Sequence, residues 1–466
     1  MTATATVSSG IGLEAMSALS AQVRGDVFDP STPGYDDIRK LYNAMHDPHP
    51  ALIVRAADAA DVSTSVQFAR EHDLPIAVRS GGHNVAGFGS VDGGLVIDMT
   101  RMNNVFVDPD ARRALVGGGA NWGDVDHATH LFGLATPGGF LSTTGVAGLT
   151  LGGGFGYLSR RYGLCCDNII SADVVTADGA MVTASEQEHP ELFWAIRGGG
   201  GNFGVATSFE FNLHPVHTVY GGPVFYPADA SADVLAFYRD YIASAPREMS
   251  AFFGFHEAPP APFVPEELHG HKTCVIVACW AGTLEEGERI LEPIRKAGPV
   301  ALDLAGPIPY PALNSSFDAL LPYGLHHYWK AGYVRDLDDE SIAIHAEYGP
   351  QVPNFTSTMH LYPLNGAIQD VDAGATAYAN RDANFTHIIA GIDADPANMP
   401  ANTAWVRDYW SALHPHSTGA AYVNFLMDEG EDRIRATYRD NYPRLVDAKR
   451  TWDPTNVFHV NQNIRP

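Results

Sequence analysis

From Ala51 to about Leu213 short apolar runs alternate with polar stretches, and glycine separates many of them. Ala51–Arg55, Ile76–Arg79 and Leu95–Asp98 are brief runs rich in Ile, Val and Leu, the pattern of strands. Ala60–His72 carries its apolar residues at helical spacing, and Gly81–Asn84 reads as a tight loop. Arg113–Gly117, Ala120–Leu131 and Asp173–Thr176 continue the alternation, which describes one α+β domain. Residues 1–35 ahead of it read as a loose leader with one helix at Leu13–Val23.

Between Val219 and about His416 the texture changes. Long strand-like runs stand at Cys274–Trp280, Thr356–Tyr362 and Phe385–Ile389, with helical stretches at Leu284–Ala297 and Ala404–Leu413. This predicts a second domain over 219–415. The final stretch predicts a strand at Ala420–Leu426, helices at Glu431–Tyr438 and Tyr442–Thr451, and a tail ending Asn461–Pro466. No internal repeat is evident.

Composition narrows the partners. A chain of 466 residues suits two domains, and 45% hydrophobic residues with 10% aromatic ones suit well-packed cores. A formal net charge of −25 excludes nucleic acid and anionic membrane as natural partners, since either surface repels it. No run approaches the ~20 apolar residues of a membrane helix, and no signal-peptide pattern opens the chain. Four cysteines, two of them adjacent at Cys165 and Cys166, do not make a disulfide framework. The expectation is a cytoplasmic protein. His326-His327 and the pair His414/His416 lack the spacing and third ligand of a metal site, so no metal is expected.

Three glycine segments change the picture. Val78-Arg79-Ser80-Gly81-Gly82-His83-Asn84 directly follows a strand, where consecutive small residues let backbone N–H groups converge on a pyrophosphate. Gly145–Gly156 and Gly198–Gly204 are the other two, and such loops bring backbone close to a flat or phosphorylated ligand. None joins a first strand to a helix as Gly-x-Gly-x-x-Gly with an acid about 20 residues on, so a Rossmann dehydrogenase fits poorly.

Arg79–Asn84 with Asp92-Gly93-Gly94-Leu95-Val96-Ile97-Asp98 resembles the FAD-binding domain of the vanillyl-alcohol oxidase and p-cresol methylhydroxylase (PCMH) superfamily. Gly148–Gly156, Tyr162-Gly163-Leu164, Glu191–Gly200, Asn202-Phe203-Gly204, Tyr422–Phe425, Asp453–Phe458 and Asn461–Ile464 are similar to its berberine-bridge-enzyme-like branch. The likeness is specific over 50–215 and 416–466, and weak between them, with Tyr328-Trp329-Lys330 and Arg381-Asp382 the best points.

The resemblance implies a two-domain α+β, PCMH-type fold. An FAD-binding domain would span 36–218 and 416–466, and a substrate-binding domain over 219–415 would cover the flavin with an antiparallel sheet. It implies covalent FAD, joined through His83 to the 8-methyl carbon of the flavin. A second link through cysteine is not expected, because Leu141 stands at the corresponding place. The cofactor-binding residues implied are Arg79, Ser80, Gly81, Gly82, Asn84 and Gly87 in the first segment. Thr144, Gly145, Gly148, Gly152, Gly153, Gly156 and Tyr157 follow in the second, Asn202, Gly204 and Val205 in the third, and Asn424, Asn461 and Asn463 near the C-terminus.

Tyr422 is the implied catalytic residue, sharing a face with Asn424 by strand alternation. On the substrate side, Phe155, His360, Tyr362 and His387 are the residues nominated. The activity implied is an oxidase. Hydride would pass from an alcohol, amine or hydroxylated ring compound to the flavin, and oxygen would reoxidise it to give hydrogen peroxide. Thr144 falls near the position that gates oxygen in plant members. An oxidative cyclase or dehydrogenase on the same scaffold, and a non-catalytic flavin-binding protein, are the rival readings.

Overall fold

A computed structural model describes residues 11–466 of the chain. The first three apolar runs become parallel neighbours, in the order Leu52–Arg55, Leu95–Asp98, Ile76–Arg79. The run Leu95–Asp98 between the other two is buried throughout, and it is apolar up to Asp98, whose carboxylate is paired with Arg79. The helix Ala59–Glu71 is started by Asp58, whose carboxylate accepts from the N–H groups of Ala60 and Asp61. It buries Val62, Val66 and Ala69 in a cluster with Leu52, Val54 and Ile97 of the sheet.

The expected loose leader is corrected over residues 11–35. The helix Leu13–Gln22 packs on Ala59–Glu71 with Leu19 buried, and Asp26–Phe28 pairs antiparallel with Leu52–Arg55. Ala15, Met16 and Leu19 form the helix face that meets the domain. Residues 1–10 of that leader lie outside the described residues.

A five-stranded antiparallel sheet follows, ordered Val105–Asp108, Arg113–Gly117, Val205–Asn212, Ile169–Val175, Met181–Ser185. Its core includes Trp122, Phe209 and Phe211, and takes in Tyr438, Tyr442 and Leu445 from the C-terminal helices Glu431–Tyr438 and Tyr442–Trp452. The chain end thus returns to the first half.

The third layer is a large antiparallel sheet. Its order is Leu302–Asp303, Thr218–Pro227, Lys272–Trp280, Met249–Glu257, Thr358–Pro363, Phe385–Asp393, His326–Val334, with Gly306–Pro309 also pairing Thr218–Pro227. Alternation sorts its two faces. Phe253, Phe255, Met359, Leu361 and Ile389 pack in one cluster with residues of the helices Ser231–Ser244 and Met399–Leu413. Phe252, Tyr362 and Ile388 turn the other way, toward Phe155 and Tyr422.

Two buried cations join the layers. Arg381 makes a bidentate pair with Asp167 at 2.7 Å and 2.7 Å. Arg160 donates to Asn365 Oδ1 at 2.7 Å and to the carbonyls of Ile242 and Ala245 at 3.0 Å and 3.2 Å.

The strand expected at Ala420–Leu426 is not formed. Phe425 N–H donates to the Tyr422 carbonyl at 2.9 Å and Leu426 N–H to that of Val423 at 3.3 Å, which makes a 3₁₀ turn. Ala421, Tyr422 and Val423 enter three different apolar clusters, so burial on all sides produced the strand-like run. No helix among the described residues is long and apolar enough to cross a membrane.

Candidate active site

The three glycine segments meet at one cavity of about 350 Å³, closed on its far side by the large sheet. The His83 loop leaves the C-terminal end of Ile76–Arg79 and is tied down by Arg79, whose Nη2 donates to Asp98 Oδ2 at 2.7 Å. Gly81 and Gly145 touch backbone to backbone: a Cβ on either would stand 2.4 Å from the other's nitrogen. The second and third segments are tied as well, since the N–H groups of Gly198 and Gly200 both donate to the Leu151 carbonyl at 2.9 Å.

The C-terminal tail locks the third segment. Asn202 donates to the carbonyls of Gly199 and Gln462 at 2.9 Å and 3.2 Å, and its Oδ1 accepts from Ile464 N–H at 2.9 Å. Lys449, fully buried, donates to the Asn202 carbonyl at 2.8 Å and to Asp453 at 2.6 Å.

The lining fits a ligand with polar groups. Ser80 Oγ, His83 Nε2, Tyr438 Oη and Asn461 Oδ1 belong to lining residues and are buried without a partner among the described residues. A Cβ at Gly148 or Gly201 would meet nothing within 4 Å, so open space lies against both.

His83 is held as a neutral imidazole. Burial pushes its pKa down to about 3, and a backbone hydrogen bond with Thr143 only partly offsets this. Tyr42 stacks on it with ring centroids 3.9 Å apart, and Tyr323 meets it edge-on at 5.4 Å. Asn43, beside Tyr42, donates to the carbonyls of Val85 and His327 at 2.8 Å and 3.0 Å and so fastens this loop to the large sheet.

Tyr422 and Asn424 do meet, through the turn. The Tyr422 phenol oxygen accepts from Asn424 Nδ2 at 2.7 Å and from Gly154 N–H at 2.9 Å. Burial raises its pKa well above the usual phenol value, against the lowering effect of those two donors. Phe155 lies 4.8 Å from Tyr422, ring centroid to ring centroid.

On the sheet side Thr358, His360 and Tyr362 line the cavity from alternate positions of one strand, with Phe252 and His256 from the next. Tyr362 Oη lies 2.6 Å from His360 Nδ1, and His360 Nε2 lies 2.8 Å from His256 Nε2. Burial pushes His256 down to about 4 and His360 well below the usual histidine value.

Of the expected residues, Arg79, Ser80, Gly81, Gly82, His83, Asn84, Thr144, Gly145, Gly148 and Phe155 line the cavity. So do Asn202, Gly204, Val205, His360, Tyr362, Tyr422, Asn424 and Asn461. His387 does not, and its nomination is corrected. Ile388, Ala390 and Ile392 face the cavity, so alternation turns His387 to the opposite side, 6.5 Å from the His345 ring.

Gly87, Gly152, Gly153, Gly156, Tyr157 and Asn463 also stand outside the lining. A side chain at Gly87 would strike His46, at Gly152 Asn424, at Gly153 Tyr378, and at Gly156 the Gly138 carbonyl. Tyr157 packs edge-on against Phe140 at 4.8 Å. Sequence reasoning missed Tyr42, His256, Phe252 and Phe317, which no local motif marks, and it did not nominate Trp329 for the site although Tyr328-Trp329-Lys330 was a point of resemblance.

Residues 50–185 match the family described as FAD binding domain, and residues 421–465 match that described as Berberine and berberine like. The chain is 33% identical over 450 residues, 95% of each protein, to an FAD-linked oxidoreductase of Dictyostelium discoideum. It is 30% identical over 466 residues to (R)-6-hydroxynicotine oxidase of Paenarthrobacter nicotinovorans, covering 96% of this chain and 98% of that one. The crystal structure of 6-hydroxy-D-nicotine oxidase from Arthrobacter nicotinovorans matches with a TM-score of 0.85 at 28% identity, over 95% of this chain and 98% of that one.

Proposed function

Because the chain belongs to the berberine-bridge-enzyme-like FAD-linked oxidoreductases, we propose that it is an oxidase carrying FAD bonded to His83. Its substrate on this reading is a small alcohol, amine or hydroxylated ring compound. The observation that carries the reading is the neutral His83 ring, stacked on Tyr42 at the wall of a cavity that runs from the glycine loops to the large sheet.

An imidazole with its lone pair free is the form that can bond to carbon. Tyr42 fixes the ring plane, and the missing Cβ atoms at Gly148 and Gly201 leave room for a flat group. Bound FAD supplies a two-electron acceptor for the substrate's hydride, and oxygen, taking those electrons in turn, gives hydrogen peroxide.

The chain's own residues do the rest. Arg79, paired to Asp98, holds the loop that carries His83. Asn424 and Gly154 orient the Tyr422 hydroxyl, and their two N–H donors favour the phenolate whenever Tyr422 takes part in moving the substrate's proton. The large sheet closes the far side of the cavity and faces any substrate held there.

Acid precipitation of the purified protein tests the reading. Yellow colour should stay in the pellet and map to a peptide containing His83, and His83→Ala should release it to the supernatant. Colour in the wild-type supernatant would remove the covalent link. A colourless protein that FAD cannot reconstitute would remove the whole proposal.

A further inference from the structure

The sheet side of the cavity has a chemistry of its own. Among the described residues Arg79 is the one lining residue with a formal charge, and Asp98 neutralises it at 2.7 Å among the glycine loops. Opposite, Phe140, Phe252, Phe317 and Trp329 make the walls. The two histidines there, His256 and His360, are kept uncharged by burial. An ionised ligand placed among these groups would lose its hydration with no counter-charge to replace it. A sugar would bring many hydroxyls to a surface with few partners for them.

Beside Thr356, Thr358 and the Trp329 indole N–H, three polar side chains there form a chain. Tyr362, His360 and His256 are linked at 2.6 Å and 2.8 Å, and Phe140 stacks on the Tyr362 ring at 4.6 Å and holds its position. Each of the three can give or accept a hydrogen bond. With Tyr362 donating to His360, which then donates to His256, the phenol oxygen is free to accept from a ligand hydroxyl. With both bonds reversed, the Tyr362 proton is free to be given to a ligand oxygen. Either direction is neutral, so the chain adapts to one hydroxyl or carbonyl group without charging any member.

We propose, resting on the oxidoreductase reading above, that the substrate is an uncharged aromatic compound bearing a hydroxyl group that binds at the Tyr362–His360–His256 chain between Phe140, Phe252 and Trp329. Aromatic walls favour ring over chain, and the neutral relay favours hydroxyl over ammonium or carboxylate. This narrows the family's range of substrates to one class, on residues that the glycine motifs and the C-terminal motif do not include.

Binding of small probes to the purified holoenzyme tests this, followed by calorimetry and by the shift of flavin absorbance. Phenol should bind at least about tenfold more tightly than benzoate or benzylammonium, and cellobiose should not bind, tenfold being the factor for ~1.4 kcal/mol. Tyr362→Phe should weaken phenol about tenfold while leaving toluene unchanged.

Equal or tighter binding of benzoate, benzylammonium or cellobiose overturns the proposal, as does a Tyr362→Phe loss shared equally by phenol and toluene. The wild-type ranking stands by itself if the variant does not fold. Flavin content on the same sample separates the two readings. A yellow protein that prefers an ion sinks only the substrate class, and a protein that cannot hold flavin sinks the oxidoreductase reading beneath it.

Discussion

At the scale of single residues, Tyr422 has two separable contributions. Its oxygen is the partner of Gly154 N–H and Asn424 Nδ2, and the residue is 1% exposed. Tyr422→Phe leaves both donors without that oxygen in a buried place, which should cost ~1–3 kcal/mol of stability. If the phenol also moves the substrate's proton, anaerobic flavin reduction by substrate should slow by ~10²–10⁴-fold. A lower urea midpoint with an unchanged reduction rate would assign Tyr422 to structure alone. The Tyr422–Asn424 partnership was legible because a single residue, Val423, separates them, although a turn rather than a strand brings them together. The stacking of Tyr42 on His83 and the link from His256 to His360, 104 residues apart, were not legible, because tertiary packing alone creates them.

At the scale of elements, Arg160 shows how one side chain docks one unit on another. It lies in the short helix Ser159–Tyr162, and its guanidinium reaches the C-terminal end of the helix Ser231–Ser244. There it meets the carbonyls of Ile242 and Ala245, which have no partner further along the helix, and a cation also suits that end of the dipole. Arg160→Met should cost about 3 kcal/mol or more, since these hydrogen bonds come from a charged donor. Urea denaturation followed by tryptophan fluorescence reads this loss. Arg160 is outside the cavity lining, so the variant should keep its flavin; loss of colour instead would show that the docking shapes the cofactor site. The short parallel strands were readable because brief apolar runs bounded by proline, glycine or charged residues leave few alternatives. The facing of Phe385–Asp393 was not: eight of its nine residues are buried, so no polar alternation tells which side His387 takes.

At the scale of the whole molecule, buried histidines set the response to acid. Burial holds His327, His345 and His387 at about 3 and His360 well below the usual value, and all four are less than a tenth exposed. In the unfolded chain they titrate near ~6.5. Between those limits the unfolded state binds protons that the native state refuses, so stability rises with pH across the window. It is fully present above about 6.5 and is lost as pH falls toward the folded values of about 3. Asp126 acts with the opposite sign. Burial raises it to about 7, so its contribution is present below the ordinary carboxylate range and is lost as pH rises through 7. These four, with His83 and His256 acting in the same direction, oppose one, and near pH 5 each histidine adds a slope of ~1.4 kcal/mol per pH unit as an upper figure. Urea midpoints of the holoenzyme should therefore fall steeply from pH 7 to pH 5. His345→Gln should flatten that slope by about one proton, whatever it does to stability at pH 7, because only the titration is removed. A midpoint that is level or rising toward pH 5 would show that these rings take up protons in the native fold, which their apolar surroundings and the sparse partners of His387 and His327 speak against.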